Sequence, residues 1–147
     1  MRFEHHQPLE VKTMTDTRTA PYAALLLRLV LGLLFLAHAG LKIFVFTPAG
    51  TAQFFASLGL PGFLAYIVIL AEVLGGIALI LGFKARIVAV ALIPILLGAI
   101  VTVHGPAGFF FNNEGGGWEF LGLWIAGLVA LSLLGDGAYA VRSSARA

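Results

Sequence analysis

The sequence predicts an all-α integral membrane protein, a four-helix bundle with both termini cytoplasmic. Three observations carry that expectation. Hydrophobic residues make up 60% of the 147, charged residues only 11%, and the mean hydropathy is +1.00, whereas a soluble domain carries roughly 25% charged residues. The apolar residues gather in four runs, each near the ~20 residues that cross a ~30 Å hydrocarbon core as a helix. Lys and Arg gather at one side of those runs, the bias that marks the cytoplasmic side.

Residues 1–20, MRFEHHQPLEVKTMTDTRTA, are polar, mixed in charge and without apolar periodicity. They read as a flexible cytoplasmic tail. His5 and His6 lack a third metal ligand nearby and are read as part of that solvated tail. A four-helix domain is expected over 21–140, followed by a cytoplasmic C-terminal tail over 141–147. The runs cover Tyr22 to Val45, Pro61 to Leu81, Ala85 to Val103 and Trp118 to Leu134. Helices satisfy their own backbone hydrogen bonds, which lipid cannot do, and a bundle tolerates Pro94 inside the third run. Ala37-His38-Ala39 has the look of a signal-peptide cleavage site. The first run is longer than a signal core of about 7–15 residues, however, and Arg28 interrupts it, so a retained helix is expected.

The basic residues set the orientation. Arg2, Lys12 and Arg18 precede the first run, Lys84 and Arg86 sit between the second and third, and Arg142 and Arg146 follow the fourth. The opposite side holds only Lys42. In the first outer connection, Thr47–Gly62, Phe54, Phe55 and Leu58 fall on one side of a short helix, and Gln53 and Ser57 on another, a pattern for lying in the interface plane. The second, His104–Glu119, carries three consecutive Phe and then Gly115 to Gly117. Interfacial anchoring is the expected role, a pliable lid over a site the alternative.

Several function classes fall away. The formal charge is +2 and the pI about 9.3, but the bases are dispersed, so no nucleic-acid face is expected. There is no cysteine, which removes disulfides, thiolate metal sites and thiol redox chemistry. Walker loops, nucleophile elbows and dinucleotide fingerprints are missing. Metal ligation is not expected, because no pair of histidines has helical ligand spacing.

The charges inside the runs point to function. At 100° per residue, Arg28, His38 and Lys42 share one stripe about 80° wide, and intramembrane charges face inward, pair and carry function. Glu72 lies near the middle of the second run, where an isolated carboxylate is costly. An Arg28–Glu72 ion pair that fixes helix register is expected. Gly75 and Gly76 follow Glu72, and Gly122, Ala126 and Ala130 recur every four residues in the fourth run; both are patterns for close helix contact. At the outer end His38, Lys42, His104 and Glu119 come to one depth. Such a cluster suits an anionic or quinone-like headgroup, or proton transfer, since His titrates near neutral pH; a polar rim touching water is the plainer reading.

These residues resemble the DoxX family. The resemblance rests on Arg28-Leu-x-x-Gly-x-x-Phe-x-x-His38-x-Gly40-x-Lys42, Phe54-Phe55-Ala-Ser-Leu-Gly-Leu-Pro61, Ala71-Glu72-x-x-Gly75-Gly76, Gly82-Phe83-Lys84-Ala85-Arg86, Val103-His104 and Trp118-Glu119. It extends from about Leu25 to Gly135. It implies a multi-pass bacterial inner-membrane protein, in a family linked to quinone-coupled redox assemblies and oxidative-stress defence. On that reading the chain has no intrinsic cofactor, and a quinone or partner subunit carries the electrons. Lipid, a quinone or small anion, redox subunits and further copies of the chain are the partners implied. A non-catalytic scaffold and a small-molecule or proton pathway are the alternative functions.

Overall fold

The structure, a computed structural model, describes residues 16–142. The tail expected over 1–15, with His5 and His6, and residues 143–147 lie outside the described residues. Five helices follow in order: α1 (Ala20–Gly40), α2 (Pro48–Ser57), α3 (Phe63–Leu81), α4 (Ala85–Ala99) and α5 (Glu119–Leu134). α1 continues into a π-helical turn, Leu41–Val45, and α4 into another, Ile100–His104. Among the described residues there is no strand, only an isolated bridge between Phe83 and Arg142.

Local chemistry sets these boundaries. Pro21 and Pro48 stand in the first turns of α1 and α2, where a missing N–H costs nothing. The Thr47 hydroxyl caps α2 by accepting from Gly50 N at 3.1 Å. Gly82, at φ +71°, ends α3 in the left-handed conformation, which favours glycine. Ala20–Val45, Phe63–Leu81 and Ala85–His104 are long and apolar enough to cross a membrane. α5 is apolar but only 16 residues long.

The core closes around α1. Phe35, Leu79, Leu128 and Leu131 are fully buried. α1 and α3 cross antiparallel through two glycines: a Cβ on Gly32 would lie 2.7 Å from Gly76 O, and one on Gly76 2.9 Å from Gly32 O. Gly75 instead receives Leu92 of α4, whose Cδ2 would lie 2.7 Å from an added Cβ. The stripe of Gly122, Ala126 and Ala130 expected to pack α5 is not its contact face. Leu121, Trp124, Leu128 and Leu131 are buried there, whereas Ala126 is exposed and Gly122 and Ala130 are half-buried. The larger side chains turn inward because they fill the space between α1 and α4 with more contact than small ones can supply.

After α5 the chain does not leave the bundle. Residues 135–142 fold back as a strap across the end that holds the start of α1 and the α3–α4 turn. Ala138 N donates to Pro21 O at 2.9 Å, Val141 N to Leu81 O at 3.1 Å, and Lys84 N to Arg142 O at 2.9 Å. Arg86 N donates to Asp136 Oδ1 at 3.2 Å. Both ends of the described chain therefore meet at one end of the bundle.

Candidate functional site

The expected Arg28–Glu72 pair does not form. Glu72 pairs with Lys42, whose Nζ lies 2.8 Å from Oε1 and 2.9 Å from Oε2. Helix direction explains the change of partner. The crossing seats Gly32 against Gly76 and Ile80, and Arg28 against Gly82. In that register Glu72 is about ten residues, or ~15 Å, from the level of Arg28, but only about one turn from that of Lys42. Side chains also tilt toward the N-terminus of their own helix. In antiparallel helices Lys42 and Glu72 therefore lean toward each other, while Arg28 leans away.

Arg28 serves the strap instead. It is fully buried, and its Nη2 donates to Ala138 O at 2.7 Å. Asp136 lies within Coulombic reach of it. Gly82 leaves room for the guanidinium, since a Cβ there would fall on Arg28 Nη1.

The opposite end of the bundle is hollow. A cavity of about 490 Å³ is bounded by α1, α2, α3, α4 and α5, and His38, Lys42, Glu72 and His104 line it together. Apolar side chains make most of the remaining wall, with Thr102 as a further polar group. A second cavity of about 350 Å³ shares His38, Lys42, Phe54 and Phe55 with the first. Phe54 and Phe55 thus belong to the site rather than to an interface anchor alone.

Each polar group in the cavity is held differently. Glu72 is buried, and Lys42 is fixed by its bidentate pair. Thr51, also buried, donates to Thr47 O at 2.9 Å and touches Lys42 O at 3.3 Å, tying α2 to the turn that carries Lys42. His104 Nδ1 sits 2.7 Å from Gly116 O. A carbonyl can only accept, so Nδ1 donates and Nε2 of the neutral ring is left as an acceptor. His38 packs edge-on against Trp124 with ring centroids 5.0 Å apart. Trp124 Nε1 is buried with no hydrogen-bond partner.

Glu119, expected in the same cluster, stands outside it. Its Oε1 accepts from Phe111 N at 2.9 Å, and it does not line the cavity. Together with Gly117 N to Phe110 O at 3.0 Å and Trp118 N to Gly108 O at 3.0 Å, it closes the 105–118 loop on itself. Phe109, Phe110 and Phe111 remain exposed at the loop surface. Trp124 and Glu72 were the site residues that sequence reasoning missed or placed elsewhere. The signal for Trp124 was its position on the same α5 face as Leu121, Leu128 and Leu131.

Apolar helices closing over a buried ion pair and a part-polar cavity define a small multi-span membrane protein with a ligand-sized internal site. The chain belongs to the DoxX family, whose model matches residues 23–105. It is also 44% identical over 90 residues to the Bacillus subtilis (strain 168) protein named "Putative oxidoreductase CatD". That alignment covers 61% of this chain and 66% of the relative, just under two thirds of its length. No solved structure matches the chain.

Proposed function

We propose that this protein is a bacterial inner-membrane component of a quinone-linked redox or oxidative-stress system, and that the cavity holds a quinone headgroup. α5 packs on both α1 and α4 and completes a four-span bundle, with the strap end and its basic residues in the cytoplasm. The observation that carries the reading is the joint lining of one largely apolar cavity by His38, Lys42, Glu72 and His104. Its volume falls within the roughly 300–1,000 Å³ of small-molecule sites.

The electrostatics favour a neutral ligand over an anion. Glu72 already neutralises Lys42, so the pair offers a dipole and no net charge. A quinone brings an apolar ring with carbonyl acceptors, which suits apolar walls with a few polar groups at one end. Its reduction takes up a pair of electrons and a pair of protons. On this reading His38 and His104 pass the protons, while the electrons come from a partner protein.

Thermal unfolding in detergent with and without a decyl-substituted benzoquinone tests this. A ligand that binds only the folded state at 100 times its Kd stabilises by about 2.7 kcal/mol. The parent protein should gain such a shift. His38→Ala and His104→Ala should fold normally and lose most of it, and Glu119→Gln should keep it. No shift in the parent, or a full shift in both histidine variants, refutes the proposal.

A further inference from the structure

Glycines inside membrane helices usually let another helix approach. Gly32, Gly75 and Gly76 do so here, each with a neighbour within 3 Å of where a Cβ would stand. Gly98 of α4 is different. Nothing lies within 4 Å of its absent Cβ, yet Gly98 lines the larger cavity. Gly98 therefore leaves open space at the cavity wall.

The rest of the rim is apolar and outward-facing. Gly98 and Pro94 of α4 are exposed while lining the cavity. Across from them Ile67 of α3 lines it too and is 54% exposed. Thr102 turns its hydroxyl back to Gly98 O at 2.8 Å, so it offers no outward donor at the mouth. Gly98 lies about 20 Å from the start of α4 and about 9 Å from His104, at ~1.5 Å per residue. Ile67 and Gly98 both belong to helices long and apolar enough to span a membrane. With both helices spanning the bilayer, as the functional reading above has them, this mouth faces hydrocarbon rather than water. The cavity behind it joins apolar walls to four polar groups, His38 and Lys42 from the α1 side, Glu72 from α3 and His104 from the end of α4.

Resting on the quinone reading above, we propose that the gap between α3 and α4 at Ile67, Pro94 and Gly98 is a lateral portal, and that the ligand is a chain-bearing quinone entering from the bilayer, its headgroup against the His38 and Lys42 side and its apolar chain in the portal. Such a site excludes charged, membrane-impermeant quinones. The missing side chain at Gly98 sets the width of the gate.

The test uses the full chain with Trp118→Phe, which leaves Trp124, at the cavity wall, as its one tryptophan, reconstituted in lipid nanodiscs. Binding is read as saturable quenching of that fluorescence by a decyl-substituted benzoquinone and by a water-soluble benzoquinone sulfonate. The decyl probe should bind and the sulfonate should not. Gly98→Phe should slow association of the decyl probe by about tenfold or more, since affinity changes within one site otherwise fall mainly on dissociation. Gly40→Phe, whose glycine also has open space but lines neither cavity, should leave association unchanged. Ile67→Phe narrows the gap from the other side and serves if Gly98→Phe does not fold. Equal association of sulfonate and decyl probes, or an unchanged rate in the folded portal variants, overturns lateral entry while leaving the quinone site standing. No saturable quenching by either probe in the parent overturns the site and the portal together.

Discussion

The two ends of the bundle bury charge for different purposes. At the strap end, Arg28 is fully buried, reaches Ala138 O, and lines neither of the two cavities of the other end. At the other end, Lys42 and Glu72 neutralise each other on the wall of a cavity of about 490 Å³. The strap end spends its cation on holding a chain segment; the hollow end keeps polar groups where a ligand can meet them. One helix, α1, supplies both, with Arg28 near its start and His38 and Lys42 near its close. The three basic residues on one stripe are therefore one architectural group and two site groups.

This contrast can be broken by mutation. The largest expected effect is at Glu72. Lys42→Ala strands a buried carboxylate, and removing one partner of a buried pair costs about 3–5 kcal/mol. Chemical unfolding in detergent should show that loss, with much of it recovered when Lys42 and Glu72 are both replaced by Met. A double replacement as poor as the single would mean that the pair does not organise this end.

Next comes Gly82→Ala. A Cβ there falls on the Arg28 guanidinium, and the left-handed φ disfavours any side chain; overpacking of this kind costs about 1–3 kcal/mol. Hydrogen exchange should rise in residues 135–142, while quinone binding at the far end stays intact. Loss of binding without strap exchange would show that the two ends are not separable.

A smaller effect is expected at Thr51. Thr51→Val removes the hydroxyl that ties α2 to the Lys42 turn, and a hydrogen bond of that kind is worth about 0.5–1.5 kcal/mol. Ligand affinity should fall more than stability, because α2 carries Phe54 and Phe55 into the cavity wall. The smallest is Ala126→Leu on the exposed face of α5, which should change unfolding of the isolated protein by no more than about 0.5 kcal/mol.

How much of this was legible in the sequence follows from which rule each feature obeys. The all-helical character follows from long apolar runs; the first three form helices long and apolar enough to cross a membrane, while the fourth forms a shorter apolar helix, Glu119–Leu134. The ion-pair partner is not legible from positions within the runs, which carry neither the offset of the Gly32–Gly76 crossing nor the tilt of side chains toward the N-terminus. The α5 stripe misled because small residues signal close contact only when they face a neighbour, and periodicity alone does not say which face does. The strap was invisible: Asp136, Ala138 and Arg142 carry no apolar pattern, and their role comes from long-range hydrogen bonds. Glu119 is expected at the depth of His104, but depth does not fix direction, and its carboxylate serves the Phe111 backbone.

The central claim is that the hollow end is a ligand site and the strap end is architecture. Native mass spectrometry of the protein extracted with its own lipids tests it most directly. The parent and the Gly82→Ala variant should both carry a bound quinone, and a His38→Ala, His104→Ala double variant should be folded and empty. A parent without quinone, or a double variant that retains it in full, would contradict the account.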